Sequence, residues 1–119
     1  MALEQDLLKL ERGFWTEDAD YYREHVDEEC LLAFADFAGV RGNEEIASMR
    51  GDSNWTNINL DEKGLAHLSD EAVVLTYEVS ANRKSGEPYK ALVSTGYVKR
   101  DGEWKMAFHQ QTPLDAKPN

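Results

Sequence analysis

The hydrophobic and polar positions of this chain follow a helical period at its start and a period of two towards its end. Near the start, apolar residues recur at Leu3, Leu7, Leu10 and Phe14. This spacing predicts an amphipathic helix of about three turns, with Gly13 weakening its end. Cap residues at positions 16–18 then predict a second, shorter helix that runs to His25 and is closed by the acidic residues 27–29. We therefore expect the chain to open with two helices.

The next segment alternates between a short apolar run and turn-forming residues. Residues 30–35 are apolar and flanked by turn signals, which predicts a buried strand. Residues 36–42 contain two glycines and are expected to form a loop. Asn43 is a plausible N-cap, and the acidic residues after it suit the start of a small third helix, which is expected to stop at residues 51–53.

From Trp55 onward the pattern has a period of two, which is typical of strands. Residues 55–68 predict one long strand with a bulge or bend at Gly64, and residues 72–82 predict another. Residues 89–112 predict a long hairpin that turns at Asp101-Gly102, because this dipeptide favours the tight turn with two positive φ angles. The second half of the chain is thus expected to be a run of antiparallel strands.

The hairpin turn fixes which residues share a face if the two strands pair without interruption. One face then carries Trp104, Tyr97, Met106, Phe108, Thr95 and Val93, and we expect it to lie against the helices. The other face carries Val98, Gly96, Ala107, Ser94, His109, Leu92 and Gln111. This second face has little bulk at its centre, so it predicts a surface that another sheet could approach closely.

Helices that precede a run of strands predict an α+β domain. We expect three helices packed on a curved antiparallel sheet that together enclose a cone with one open end. No linker or repeat divides the chain, so residues 1–119 are expected to form a single domain. Residues 113–119 have no apolar pattern and are expected to fray.

Composition and charge exclude several classes of function. The formal net charge of −10 argues against nucleic acid or an anionic membrane as a partner, because both require a basic face. The start of the chain resembles no targeting segment, so a cytoplasmic protein is expected. The three histidines His25, His67 and His109 are scattered, which predicts no metal site, and no motif indicates a cofactor. The single cysteine, Cys30, lies in an apolar run, and a buried structural thiol is favoured over a reactive one.

The order of the predicted elements resembles the nuclear transport factor 2-like superfamily. The resemblance is carried by Phe14-Trp15 before the second helix, by Gly-Asn-Glu-Glu-Ile at 42–46, and by the ending at 101–112, which opens with Asp-Gly-Glu-Trp and closes with His-Gln-Gln-Thr. Within that superfamily the chain looks most like SnoaL-like proteins and small bacterial proteins of unknown function. The resemblance implies the cone-shaped, cystatin-like fold over nearly the whole chain. It implies no single activity, because such folds carry isomerases, cyclases, dehydratases, hydrolases and binding modules.

The residues that the sequence places around the cone are mostly aromatic. The candidates for ligand contact are Trp15, Tyr21, Phe34, Trp55, Tyr77, Tyr97, Phe108 and Gln111. Simple filling of the core is the favoured interpretation of each aromatic residue taken alone. As a cluster, tyrosine and tryptophan are also the residues that orient small ligands in pockets, because they combine an apolar body with a polar tip.

Two titratable residues are candidates for catalysis. Asp36 follows the first predicted strand, where ketosteroid isomerases, which the chain resembles in fold, carry a general base; an ordinary solvated carboxylate remains the favoured interpretation. His109 falls on the bare face of the hairpin under strict alternation, and a bulge near it would turn it into the cavity. Both positions for His109 are left open.

The sequence thus predicts a small-molecule-binding domain with an aromatic pocket of unknown ligand. One alternative is an enzyme of the isomerase, cyclase or hydrolase type that acts on an apolar compound, and the other is a non-catalytic association module. We also expect a homodimer formed through the bare face, at Leu92, Ser94, Gly96, Val98, Ala107 and His109.

Overall fold

A computed structural model describes residues 3–49 and 55–114 of the chain. Its elements are α1 (Leu3–Thr16), α2 (Ala19–His25), β1 (Val26–Phe34), β2 (Phe37–Gly42), α3 (Asn43–Met49), β3 (Thr56–Ser69), β4 (Ala72–Asn82), β5 (Pro88–Arg100) and β6 (Glu103–Pro113). The stop expected for the third helix at residues 51–53 lies outside the described residues. The three helices and the strands after them confirm the α+β class.

The strands form one six-stranded sheet in the order β2-β1-β6-β5-β4-β3. All neighbouring strands are antiparallel except β1 and β6, which run parallel, so the sheet is mixed where a purely antiparallel one was expected. The strand β1, from the helical half of the chain, lies next to the last strand and runs parallel to it. In β3 the pairing shifts between Glu62 and Gly64, which is the bulge predicted there.

Helix α1 buries its apolar stripe against the inner face of the sheet. Leu7, Phe14 and Trp15 are buried in one cluster with inward side chains of β4 and β5. Gly13 does not end the helix; it lets α2 approach, because a Cβ at this position would lie 2.1 Å from the Tyr21 hydroxyl oxygen. That hydroxyl donates a hydrogen bond of 2.9 Å to the carbonyl oxygen of Leu10, which ties α2 to α1.

Two expectations for the segment after α2 were wrong. The acidic residues 27–29 do not close the helix but lie inside β1, where Asp27 accepts hydrogen bonds from the Arg100 guanidinium. Most of the expected loop at 36–42 is the edge strand β2, which pairs with β1 from Phe34–Phe37 to Glu29–Gly42. Its glycines suggested a loop, but an edge strand with one paired side tolerates them.

The hairpin turn was predicted correctly, but the register beyond it was wrong. Asp101 and Gly102 have φ values of 52° and 82°, and Tyr97 pairs with Met106 as expected. The next pair is Gly96 with Phe108, which leaves Ala107 as an extra residue in β6. This bulge reverses the facing of every later residue of β6, so Phe108 points outward while His109 and Gln111 point inward.

The bulge also changes the outer face of the hairpin. Phe108 lies across Gly96, where a Cβ would come within 3.1 Å of the Phe108 Cβ. The centre of that face is therefore covered by an aromatic ring and is not bare. Glycine is needed at position 96 because the ring packs directly on the backbone of β5.

The end of the described chain is held to the sheet. Pro113 closes β6, and the backbone N–H of Leu114 donates a hydrogen bond of 2.9 Å to the carbonyl oxygen of Lys90. These two residues are ordered where fraying was expected, and residues 115–119 lie outside the described part. In that described part, no helix combines the length and apolar character that crossing a membrane requires.

We predict that Cys30 is unreactive in the folded protein. Its side chain is fully buried, and burial, with the nearby carboxylates of Asp27 and Glu11, raises the pKa of the thiol from 9.0 to about 12. Such a shift lowers the thiolate fraction at neutral pH by roughly a thousandfold. An aromatic disulfide reagent should therefore label Cys30 rapidly in urea and very slowly in buffer. Equal labelling rates in the two solutions would contradict this prediction.

Candidate functional site

A cavity of about 520 Å³ lies between the helices and the inner face of the sheet. Its lining is mostly apolar, with a few charged or polar groups. The residues that line it are Glu11, Phe14, Trp15, Tyr22, Leu32, Phe34, Ile46, Met49, Trp55, Arg83, Lys84, Met106, His109 and Gln111. All three helices and strands β1 and β6 contribute, so the cavity exists only in the folded domain.

Aromatic rings form one wall of the cavity. The Trp15 and Trp55 rings meet edge to face with centroids 5.2 Å apart, and the Tyr89 ring lies 5.2 Å from Trp55. The Trp15 indole N–H donates a hydrogen bond of 3.1 Å to the Tyr77 hydroxyl. These contacts fix the orientation of both tryptophans before any ligand enters, which lowers the entropic cost of binding.

A buried carboxylate, Glu11, lies at the inner side of the cavity. The residue is only 1% exposed, and three hydroxyl groups contact its carboxylate. The Tyr77 hydroxyl donates to Oε1 at 2.6 Å, the Thr95 hydroxyl lies 3.2 Å from the same oxygen, and the Tyr97 hydroxyl donates to Oε2. No ion pair among residues 3–49 and 55–114 involves Glu11. Hydroxyl groups therefore take the place of a cation in compensating the lost hydration of this carboxylate.

The two tyrosine hydroxyls act only as protonated donors towards Glu11. Burial, reinforced by the adjacent Glu11 carboxylate, raises the pKa of Tyr77 and of Tyr97 well above the usual value for a phenol. Both hydroxyls thus keep their protons at neutral pH. A ligand in the cavity meets a carboxylate whose lone pairs are already largely occupied.

A second polar group, His109, is connected to Glu11 through Thr95. The Thr95 hydroxyl oxygen lies 3.1 Å from His109 Nδ1, and His109 Nε2 lies 3.1 Å from Gln111 Oε1. The Gln111 amide N–H in turn donates a hydrogen bond of 2.6 Å to the Tyr89 hydroxyl. The Phe34 ring packs against the imidazole with centroids 5.7 Å apart. A continuous hydrogen-bonded chain therefore runs along the cavity from Glu11 to Tyr89.

Two cationic side chains border the cavity on its exposed side. Arg83 and Lys84 are exposed residues of the loop between β4 and β5. The Arg83 guanidinium lies 4.8 Å from the centre of the Tyr89 ring and 5.3 Å from that of Trp55, which places the charge beside the aromatic wall. Neither residue takes part in an ion pair with another described residue.

Some of the expected ligand contacts do line the cavity, and others do not. Trp15, Phe34, Trp55 and Gln111 line it. Tyr77 and Tyr97 are fully buried and do not line the cavity; both donate hydrogen bonds to Glu11, which does. The structure does not bring the remaining two candidates to the cavity. Tyr21 packs between the first two helices, and the bulge places Phe108 on the outer face.

The two candidate catalytic residues have different positions. Asp36 lies in the exposed turn between β1 and β2, where it borders a smaller concavity and not the main cavity. His109 lines the main cavity, which decides the question that strict alternation left open. Sequence reasoning missed Glu11, although a signal existed: Glu11 is four residues after Leu7 and thus falls within the apolar stripe of α1.

Of the residues expected at a dimer interface, some lie on the outer face of the sheet and His109 does not. Leu92, Ser94, Gly96 and Val98 share the outward-facing side of β5, on which Leu92 is 41% exposed. Ala107 is the bulge residue of β6. His109 points away from this side, so the prediction that it contributes to such an interface was wrong.

We predict that removal of one hydroxyl donor to Glu11 destabilises the fold. Tyr97→Phe leaves the ring in place but deprives the buried carboxylate of a hydrogen bond. Bonds to charged groups contribute about 1.5–3 kcal/mol each, so the free energy of unfolding in urea should fall by about that amount. Tyr89→Phe removes a hydroxyl that bonds only a neutral amide and should cost less, about 0.5–1.5 kcal/mol. Equal losses in the two variants would contradict the role given to Glu11.

Comparisons with known proteins bear on the fold. No family model matches the chain, and no curated protein matches it. Several solved structures do. A ketosteroid isomerase-like protein from Erwinia carotovora atroseptica superposes with a TM-score of 0.76 at 14% identity, over 95% of this chain and 94% of that one. An NTF-2 like protein of unknown function from Shewanella oneidensis gives a TM-score of 0.70 at 16% identity, over 91% and 97% of the two chains.

A third solved structure is an association domain. The association domain of C. elegans CaMKII superposes with a TM-score of 0.69 at 16% identity, over 92% of this chain and 95% of that domain. At such identities the likeness concerns the fold alone, and the narrower SnoaL-like resemblance stays a prediction. With three helices on one curved six-stranded sheet, the chain has the nuclear transport factor 2-like fold.

Proposed function

We propose that the chain binds a small, mainly apolar molecule in the cavity between the helices and the sheet. The observation that carries the proposal is a cavity of about 520 Å³ with oriented tryptophan rings on one side and few polar groups. Pockets for small molecules in proteins have volumes of roughly 300–1,000 Å³ and the same composition. The fold shared with ketosteroid isomerase-like proteins supports a ligand-binding or isomerase-type domain.

The charges around the cavity favour a ligand with a negative group at one end. The chain carries a formal charge of −10, yet Arg83 and Lys84 border the cavity without a carboxylate partner among the described residues. An apolar body that lies against Trp55 brings an attached carboxylate close to the Arg83 guanidinium. At the inner side, Glu11 would repel a second negative group. The proposed ligand is therefore an apolar molecule with one anionic end.

We predict that naphthalene carboxylate changes the tryptophan fluorescence of the protein in a saturable way and binds more tightly than the neutral naphthalene methanol. Arg83→Gln should weaken carboxylate binding by about two- to fivefold, because a partly exposed ion pair contributes up to about 1 kcal/mol. The same charge change at Arg12, an exposed residue of α1, should leave the affinity unchanged. Equal effects of Arg83→Gln and Arg12→Gln would contradict the assignment of Arg83.

The origin of the fluorescence change can be checked with two matched variants. Trp55 lines the cavity, whereas Trp104 lies beside Lys99 near the hairpin turn and does not line it. Trp55→Phe should reduce the ligand-induced change to the part that comes from Trp15, and Trp104→Phe should preserve it. Loss of the signal in Trp104→Phe alone would place binding outside the cavity. If neither naphthalene probe gives a saturable change, the binding proposal fails.

Self-association is a second proposal, supported by the exposed apolar residues on the outer face of the sheet. Leu31 is 45% exposed and pairs with Phe108, and Leu92 on the same side of β5 is 41% exposed. The association domain with the same fold supports assembly in this architecture. A two-fold contact between copies of this face would cover these side chains.

We predict that the protein sediments as a homodimer at micromolar concentration and that Leu92→Arg converts it to a monomer. Arginine at position 92 would bring two positive charges into the contact without disturbing the packing of Phe108 on Gly96. The matched control is Leu68→Arg, which changes a 68% exposed leucine on the edge strand β3, two strands away from β5. A monomeric unmodified protein would exclude the proposal.

A further inference from the structure

The direction of the hydrogen bonds along the cavity assigns the protons of His109. A carboxylate can only accept, so the Thr95 hydroxyl donates its single proton to Glu11 Oε1, 3.2 Å away. The same hydroxyl oxygen lies 3.1 Å from His109 Nδ1, and it has no second proton to donate. Nδ1 must therefore carry a proton and donate it to Thr95. In the neutral imidazole, this leaves Nε2 as the nitrogen that carries the lone pair of the ring.

The partners of Nε2 accommodate this nitrogen both with and without a proton. When Nε2 is protonated, it donates to Gln111 Oε1, 3.1 Å away, and the Gln111 amide donates to the Tyr89 hydroxyl. When Nε2 is unprotonated, half a turn of the Gln111 amide lets its N–H₂ donate to Nε2, while the Tyr89 hydroxyl donates to the amide oxygen. An amide and a hydroxyl both have donors and acceptors, so no buried group is left unpaired in either state.

The alternatives to His109 as the reactive group are less suitable. Glu11 is 1% exposed and its oxygens already accept from three hydroxyl groups. The other charged groups that line the cavity, Arg83 and Lys84, come from the exposed loop between β4 and β5. The β1 neighbour of the imidazole is the apolar ring of Phe34. Among the described residues that line the cavity, His109 is a titratable group whose orientation is fixed at both ring nitrogens, by Thr95 at Nδ1 and by Gln111 at Nε2.

We propose that His109 is a catalytic acid–base residue that removes a proton from a C–H bond of an apolar compound in the cavity, with Thr95 and Glu11 as positioning residues. The site is a carboxylate–hydroxyl–imidazole chain: Glu11 orients Thr95, Thr95 holds the proton on Nδ1, and Nε2 meets the ligand when the Gln111 amide, 3.1 Å away, turns from it. The inference rests on the proposed function, since the compound must first bind between the aromatic wall and β6. With His109 in this role, the cavity can transfer protons as well as bind a ligand.

A nitrobenzisoxazole is a suitable probe because it is a small, flat, apolar compound whose ring opens after loss of one proton. His109 Nε2 takes the proton from the ring C–H, and the electron pair of that bond forms the third bond of a nitrile. The ring N–O bond breaks, and its electron pair leaves on the phenolate oxygen, which absorbs visible light. Water later takes the proton from His109, so no oxidant, reductant or further reactant is needed.

We predict saturable opening of the probe by the unmodified protein and a loss of roughly a hundredfold or more in kcat on His109→Ala, the size usual for an acid–base residue. The matched control is His67→Ala, because His67 is an exposed residue of β3 outside the cavity. This control should keep the full rate. A rate in His109→Ala equal to that of the unmodified protein would overturn the proposal.

The positioning role of Thr95 has a separate test. Thr95→Val keeps the shape of the side chain but removes the hydroxyl, so kcat should fall while KM stays nearly constant. Thr95→Ser retains the hydroxyl and should restore most of kcat. If valine and serine lower kcat equally, Thr95 acts only through packing. The carboxylate–hydroxyl–imidazole chain then does not position His109.

A spectroscopic measurement keeps failure of the inference distinct from failure of the proposed function. Nitrogen-15 correlation spectra of the neutral His109 imidazole should show the proton on Nδ1 in the unmodified protein and a loss of that preference in Thr95→Val. This readout requires no ligand. A neutral ring with its proton on Nε2 overturns the inference even if naphthalene carboxylate binds. Conversely, if the nitrobenzisoxazole binds but its ring does not open, the binding proposal stays intact and the acid–base proposal is overturned.

Discussion

The structure depends on a single buried carboxylate. Glu11 lies on the inward face of α1 and accepts hydrogen bonds from hydroxyls on β4 and β5, so it joins the first helix to the centre of the sheet. Burying a carboxylate without such partners would cost several kcal/mol, which means that the helix can dock in only one rotation and one axial position. The orientation of α1 in turn places Trp15 against Tyr77 and sets one wall of the cavity.

The polar side of the cavity depends on one extra residue in β6. Ala107 has no partner in the ladder between Tyr97–Met106 and Gly96–Phe108. If Ala107 paired with Gly96 in strict alternation, His109 would face the solvent and Phe108 would face the cavity. The bulge thus exchanges a bulky ring for an imidazole and an amide. The same bulge puts the apolar Phe108 ring on the outer face of the sheet.

The aromatic and cationic side chains divide the cavity into regions of different chemistry. The tryptophan wall with Arg83 lies towards the exposed loop between β4 and β5, and Glu11 with Thr95 lies on the buried side. His109 is the group that links these regions, since it contacts Thr95 on one side and Gln111 on the other. A ligand with an apolar body and one anionic end matches this order of groups, with its charged end outward and the body beside the imidazole.

The sequence by itself determined the elements whose signals are local. The apolar stripe of α1, the alternation in β4 and the Asp101-Gly102 turn were all read correctly, because each depends on the periodicity of neighbouring residues or on the φ preference of one dipeptide. Tertiary structure decided the rest. The hydrogen bonds to Glu11 join residues 66, 84 and 86 positions apart, and the edge strand β2 is stabilised by pairing with β1. The bulge at Ala107 places Phe108 over Gly96, where the missing side chain leaves room for the ring. No local pattern contains such distant partners, so the burial of Glu11 and the inward position of His109 follow only from the folded chain.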